Sequence, residues 1–292
     1  MNKGIIWMLH LIESDSPRSN KCPLYRNLAV PPQKLEEFIT ASRERGYEFV
    51  SMKTFLEHKA DDKEHKDIVI TIDDGARNVY TEGFELFKRL NVPFVFYVAT
   101  ALIEKGFRDC PYAELDGMAI LADKTIEKNG NFNRYFKTFK RIKRFLPFLN
   151  GPAIMRLMFG KGIDFDRYRR ETICSVAELK EMSDSGLCEI GSHTHDHVHI
   201  DRVKNKDAEL DESIKRIEEW TGKKCDSFSY PYGHVNDAAL EKVRARFSSA
   251  TKDVVYPPFI VTDESDNHKL PRVICTRDSD IDALAPRIDS LT

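Results

Sequence analysis

The sequence predicts an α/β fold in which strands and helices alternate around a parallel sheet or barrel. Three observations carry this. Apolar runs of strand length alternate with amphipathic helical stretches over most of the chain. The run Ile68-Val69-Ile70-Thr71-Ile72 is β-branched throughout, as in a parallel strand covered on both faces. Side chains capable of chemistry follow the ends of several runs, where a barrel opens its C-terminal mouth.

Residues 4–10 read as the first strand. Pro31-Pro32 opens a helix with Leu35, Phe38 and Ile39 on one face, and Gly46 closes it. After the strand at 68–72, Tyr80, Phe84, Leu86, Phe87 and Leu90 mark a helix. Phe94-Val95-Phe96-Tyr97-Val98 is the next strand. Ser175 and Glu178 have the spacing of a capping box, and Gly186 stops that helix. Cys188-Glu189-Ile190 is a short strand, and 205–221 is an amphipathic helix bearing Leu210, Ile214, Ile217 and Trp220. Strands follow at 227–230, near 247–251 and at 269–275, with a helix through Leu240 and Val243 between the first two.

Residues 104–172 break this rhythm and read as a helical insertion. From Lys128 to Ile163 there is no acidic residue. Lys128, Arg134, Lys137, Lys140, Arg141, Lys143, Arg144, Arg156 and Lys161 alternate there with Phe132, Tyr135, Phe136, Phe139, Phe145 and Phe148. One reading is a cover over the barrel with a solvated basic face. The other is a surface for a membrane or an anionic lipid carrier.

At 292 residues with 41% hydrophobic content, the chain can bury a sizeable core. We read it as one catalytic domain over 1–292, interrupted at 104–172. The formal net charge of −2 gives no support for a nucleic-acid partner. Cys22, Cys110, Cys174, Cys188, Cys225 and Cys275 are scattered and form no C-x-x-C pair. That argues against a cysteine zinc site and fits a reducing compartment. The N-terminal apolar run is short and interrupted by His10 and Glu13, so it reads as a strand rather than a signal peptide. With no apolar span of ~18 residues, the expected location is cytoplasmic, with peripheral membrane contact as the variant.

The chemistry is concentrated in two places. Asp73-Asp74-Gly75 ends the strand at 68–72, and residues 191–199 hold four of the nine histidines. Neighbouring strand residues point to opposite faces. Both carboxylates therefore reach one site only if the chain turns there, as Gly75 permits. His193 and His197 are four apart, so a helical turn or a tight loop puts both imidazoles on one side. Two histidines and a carboxylate with an open position suit Zn²⁺ or another divalent ion. Such an ion acidifies water and polarises a carbonyl, and the second carboxylate is left to accept a proton. His195 and His199 alternate with the proposed ligands and are expected to point elsewhere. His58 and His65 lie in a charged stretch and read as solvated.

These segments resemble the NodB-like polysaccharide deacetylases (carbohydrate esterase family 4). Thr71-Ile72-Asp73-Asp74-Gly75 is similar to that family's first motif, and His193-Thr194-His195-Asp196-His197 to its H-[ST]-x-x-H second motif. Tyr230-Pro231-Tyr232-Gly233 resembles the third, and Leu270-Pro271-Arg272-Val273 the late L-P-R-[IV] segment of one branch. The likeness covers about 1–103 and 174–276. It implies a deformed (β/α) barrel, usually of seven strands. It further implies Asp73 as general base and Asp74, His193 and His197 as ligands of one divalent ion. Zn²⁺ is the first expectation, with Co²⁺, Ni²⁺ or Mn²⁺ as alternatives. The Tyr232 backbone N–H, beside Pro231, would face the oxyanion.

The sequence departs from the family pattern twice. The third motif lacks the arginine that many members use to hold the catalytic aspartate, and Arg272 is the candidate substitute. No Leu-x-His motif follows Arg272 to supply the general acid. The segment Trp7-Met8-Leu9-His10 resembles an N-terminal histidine segment of a circularly permuted branch, which makes His10 the candidate, ahead of His234 and His268. The resemblance thus implies an N-deacetylase acting on an amino sugar or N-acetylated glycan. One rival is a deformylase or deacetylase working on a lipid-linked sugar at the cytoplasmic membrane face, with 128–163 as its membrane contact. A rival from another class is an inactive carbohydrate-binding module, and a weaker one is a barrel metallohydrolase of small non-sugar amides.

Overall fold

Seven parallel strands close on one another in chain order. They are β1 (Asn2–Leu9), β2 (Asp67–Ile72), β3 (Phe94–Val98), β4 (Cys188–Ser192), β5 (Ser227–Ser229), β6 (Ser249–Asp253) and β7 (Leu270–Ile274). Each pairs with the next, and β7 pairs with β1 to complete the wall. This computed structural model describes residues 2–108, 114–253 and 259–286. Cys110 and residues 109–113 of the expected insertion lie outside them.

The barrel is deformed at two seams. The β7–β1 register holds only Trp7 opposite Val273 and Met8 opposite Ile274, and β4–β5 meets at Ser192 opposite Phe228. At the N-terminal end the neighbours change. The short strand Ile260–Thr262 runs antiparallel to the start of β1, and Glu48–Phe49 lies parallel to the start of β2. The two-residue pieces at Leu11–Ile12 and Ala29–Val30 form a separate pair beside the mouth. The sequence reading did not anticipate these short strands, because two or three residues carry no readable period.

Period-two alternation splits the core in two. Ile6, Val69, Val95, Tyr97 and Leu270 point into the barrel, where Met52 and Phe55 of the helix Met52–Ala60 plug its lower end. Their sequence neighbours Ile5, Trp7, Ile68, Ile70, Phe94 and Phe96 point outward beneath the helices. All six residues of β2 are buried, as its β-branched run requires. The Ser175–Glu178 capping box forms as expected, and it starts the helix Val176–Asp184.

The insertion consists of helices Leu115–Glu127, Phe132–Phe145, Gly151–Phe159 and Phe165–Thr172. Its return is pinned to the turn after β2. Ile173 bridges to Ala76, and Cys174 N–H donates to the Gly75 carbonyl at 3.0 Å. The insertion therefore braces the mouth of the barrel. Among the described residues no helix is long and apolar enough to cross a membrane.

Gly191 shows how tightly the interior is filled. A Cβ there would lie 2.5 Å from a ring carbon of Tyr97 and 2.8 Å from Ser227 Oγ. Gly191→Ala must push the buried Tyr97 ring, at a cost of about 1–3 kcal/mol for overpacking. The expected result is a lower urea midpoint with unchanged slope; an unchanged midpoint would show that the ring has room to yield.

Candidate active site

β2 ends one residue before the acids, and the ladder carries on into Asp73, whose N–H donates to the Leu9 carbonyl at 3.0 Å. Asp73 thus keeps the inward direction of Val69 and Thr71 and is 2% exposed. The turn begins earlier than Gly75. Asp74 already has φ 78°, and Gly75 follows with φ 87°. Two successive left-handed residues cancel the strand's alternation, so the Asp74 carboxylate reaches the same mouth as Asp73. A side chain at Gly75 would be strained by that φ and would lie 2.8 Å from Ile103 Cδ1.

His193 follows β4, where its N–H donates to the Val98 carbonyl at 3.1 Å. Its ring Nδ1 lies 2.9 Å from the Ser229 carbonyl. A carbonyl only accepts, so Nδ1 carries the proton and Nε2 is left with a bare lone pair. That Nε2 lies 3.6 Å from Asp74 Oδ1, and His197 Nε2 lies 3.2 Å from the same oxygen. The four-residue spacing works through a loop, not a helical turn: Thr194 and His197 have φ 63° and 51°. His195 and His199 point away. His195 Nδ1 lies 2.8 Å from Thr100 Oγ1, and His199 stacks on Tyr232 with centroids 4.1 Å apart.

Arg272 projects from β7 into the barrel and is fully buried. It grips Asp73 with both ends of its fork, Nη1 to Oδ1 at 2.8 Å and Nη2 to Oδ2 at 2.7 Å. Nη1 also donates to Thr71 Oγ1 at 3.1 Å and Nη2 to Asp253 Oδ1 at 2.7 Å. Thr71 in turn donates to the Trp7 carbonyl at 2.6 Å. This network crosses β7, β1, β2 and β6. Ser229 Oγ adds a longer bond to Asp73 Oδ2 at 3.4 Å.

Electrostatics follow from this layout. Burial pushes the Asp73 carboxyl upward, but the charge and hydrogen bonds of Arg272, together with the neighbouring imidazoles of His193 and His10, outweigh it and hold the group below its ordinary value. Asp74 is likewise held low against burial, chiefly by the hydrogen bond from His197 and that residue's charge. Burial lowers His193 and favours its neutral form. Both acids are therefore anionic near neutrality, while His193 offers a free nitrogen.

A cleft of about 200 Å³ opens over these groups. His10 lines it from the end of β1, together with Asp73, Asp74, His193, His197 and Tyr232. Tyr232 has φ 62° and follows the buried Pro231, and its hydroxyl lies 3.4 Å from His197 Nδ1. His234 and His268 are not among the lining residues, and His268 Nε2 lies 2.8 Å from the Phe247 carbonyl. The sequence reading missed Asp253, Asn27, Leu28 and Met118, which also line the cleft. For Asp253 the sequence held no signal. It ends β6, which runs two residues beyond the expected strand, and its register partner on β7 is Arg272.

The buried pair yields a stability prediction. Arg272→Met leaves Asp73 buried without its counter-charge and should cost about 3–5 kcal/mol at neutral pH. In the wild type the depressed Asp73 contributes stability that is complete above its unfolded value and is lost as pH falls through the folded value. In the variant Asp73 keeps its burial but loses the charge that lowers it, so the folded form takes up a proton earlier. The gap between the two proteins should therefore shrink as pH falls from 7 toward 4. Denaturant midpoints across that range check this, and a constant gap would contradict it.

The same fold recurs among known proteins. The family model described as polysaccharide deacetylase matches residues 60–246. Among curated proteins, the poly-β-1,6-N-acetyl-D-glucosamine N-deacetylase of Staphylococcus epidermidis is 30% identical over 121 residues, spanning 37% of this chain and 40% of that protein. The chain thus aligns with well under half of that relative. A polysaccharide deacetylase from Bacillus cereus superposes with a TM-score of 0.64 at 20% identity, covering 98% of this chain and 68% of the other. IcaB from Ammonifex degensii gives 0.64 at 17%, covering 99% and 97%. The deacetylase PplD of Streptococcus pyogenes, solved with acetate, gives 0.65 at 16%, covering 96% and 95%. These structures share the fold, and the family model spans more than half of the sequence, so the chain belongs to the polysaccharide deacetylase family.

Proposed function

We propose that this chain is a metal-dependent hydrolase that removes the N-acetyl group from an amino sugar within a glycan. The observation that carries the proposal is the division of labour between adjacent carboxylates. Asp74 faces two imidazole nitrogens, while Asp73 stands beside them in the grip of Arg272.

The donor set fits a divalent cation. One ligand atom from each of Asp74, His193 and His197 lies within 4.8 Å of the others. Nitrogen and oxygen donors on one tetrahedral ion are separated by ~3.3 Å, given bonds of ~2.0–2.1 Å. The observed 3.2 and 3.6 Å are close to that separation. Charge agrees as well. Asp73, Asp74 and Asp253 bring three negative charges against one from Arg272, which leaves two for a dication to neutralise. Two imidazoles and a carboxylate suit Zn²⁺ first, with Co²⁺, Ni²⁺ and Mn²⁺ as alternatives.

When bound, the ion supplies Lewis-acid polarisation of the amide carbonyl and acidifies the attacking water. Asp73 accepts the proton of that water. Arg272 keeps Asp73 ionised and fixes the direction of its free lone pairs. The Tyr232 backbone N–H, offered from a left-handed residue at the cleft wall, is the proposed donor to the developing oxyanion. His10, across the cleft from the third motif, gives a proton to the leaving nitrogen as the C–N bond breaks. The products are acetate and a free amino sugar. The Staphylococcus epidermidis relative, named for an N-acetylglucosamine polymer, supports the choice of substrate class.

The second reading keeps this machinery and moves the substrate onto a lipid carrier at the cytoplasmic face of a membrane, as a deacetylase or deformylase. Its support is the insertion. Phe145, Phe148 and Leu157 are 67%, 78% and 62% exposed within a stretch that has no acidic residue. A sugar-binding module without turnover has no use for a base beside a metal site, and Asp73 counts against it.

Two sets of measurements test these readings. Acetate release from N-acetylglucosamine oligomers should fall about 10²–10⁴-fold in Asp73→Asn while metal content is unchanged. His10→Ala should lose activity with metal retained, and Asp74→Ala should lose the metal itself. An Asp73→Asn protein with bound metal and full activity would sink the assignment. Phe145→Ala/Phe148→Ala should weaken co-sedimentation with anionic vesicles if the insertion meets a membrane, and equal sedimentation would exclude that role for these rings.

A further inference from the structure

A second group of ligating side chains lies at the opposite end of β2. Asp67 is the first residue of that strand and Asp73 follows its last, so about 20 Å of strand separates them. The sequence reading placed His58 and His65 in solvent. In the structure they are partly buried, and their rings stack at 3.9 Å with planes 12° apart. His58 Nδ1 lies 2.8 Å from Asp67 Oδ2. One ligand atom from each of His58, His65 and Asp67 falls within 4.8 Å of the others.

We propose that His58, His65 and Asp67 form a second site for a divalent transition-metal ion, which clamps the closed end of the barrel. The proposal is independent of the hydrolytic reading. Two observations support it. Asp67 is 2% exposed, and among the described residues neither lysine nor arginine forms an ion pair with it, so the partner its carboxylate faces is the His58 imidazole. His65 Nε2 lies 2.8 Å from Asp61 Oδ2. A metal-ligating histidine characteristically donates its outer N–H to a carboxylate in this way, which leaves Nδ1 bare for the ion.

The ligands come from the helix Met52–Ala60, the loop at 61–66 and β2. An ion there would tie the helix that plugs the barrel to the strand that ends in Asp73. Two imidazoles and a buried carboxylate select Zn²⁺, Ni²⁺ or Cu²⁺ over Mg²⁺ or Ca²⁺, which require more oxygen ligands. For zinc to enter, the 2.8 Å contact between His58 Nδ1 and Asp67 Oδ2 has to open by about half an ångström.

The test is a zinc titration of the metal-stripped full-length protein by equilibrium dialysis with elemental analysis. Wild type should bind two equivalents. His58→Gln/His65→Gln should bind one and keep its deacetylase turnover, because neither residue borders the cleft. His193→Ala/His197→Ala should also bind one, and zinc should still raise its melting temperature. Asp67→Asn, nearly isosteric, guards against a folding defect and should likewise bind one. A single equivalent in wild type that survives in His193→Ala/His197→Ala and is lost in His58→Gln/His65→Gln would count against the catalytic metal site and leave this one standing. A single equivalent in wild type that is unchanged in His58→Gln/His65→Gln would overturn the proposal.

Discussion

The bidentate pair between Arg272 and Asp73 is the contact on which the rest of the site depends. Both partners are buried, so each requires the other. In the interior a lone ion costs several kcal/mol even after relaxation. The pair joins β7 to the end of β2 across β1, at the seam where the barrel wall has only two register pairs. Thr71 and Asp253 accept further bonds from the two Nη groups and tie β6 into the same network. Closure of the barrel and orientation of the proposed base are therefore one event. A local change at the β7 seam would be felt at the chemistry.

The remaining groups are brought together by backbone that most residues avoid. Asp74, Thr194, His197 and Tyr232 all have positive φ, and all lie at the mouth of the barrel. Elsewhere among the described residues positive φ falls on glycines and on Asn91 and Asn129, which tolerate it cheaply. At the mouth the left-handed steps fall on Asp74, His197 and Tyr232, which line the cleft, and on the buried Thr194 between the two histidines. Such positions cost of order 1–3 kcal/mol each and persist where the surroundings over-determine them. Here the bracing comes from the insertion's return at Cys174, from the Ser229 carbonyl on His193, and from the ladder bond at Asp73.

Much of this was legible in the sequence, for physical reasons that differ by residue. The long strands declared themselves because a buried parallel strand needs an unbroken apolar run, and 94–98 was read to the residue. Asp73, Asp74, His193 and His197 were legible because the chemistry restricts both residue type and spacing. Arg272 was inferred from a departure, the missing arginine of the third motif, and the structure places it against Asp73. The family model ends at residue 246 and starts at 60, so neither Arg272 nor His10 falls within it. Asp253 escaped because its importance lies in register across two parallel strands, which one sequence does not display. The partnership of His58, His65 and Asp67 escaped for a related reason. In a highly charged stretch, local composition conceals the fact that one acid is the buried start of a strand.

The central claim is that the adjacent acids have different work, Asp74 as ligand and Asp73 as the base beside it. Anomalous diffraction at the zinc edge, from crystals grown with zinc, tests this most directly. The account predicts a peak bounded by Asp74, His193 Nε2 and His197 Nε2, with Asp73 outside the coordination sphere and still held by both nitrogens of the Arg272 fork. A peak ligated by Asp73, or an Arg272 fork released from it, would contradict the account.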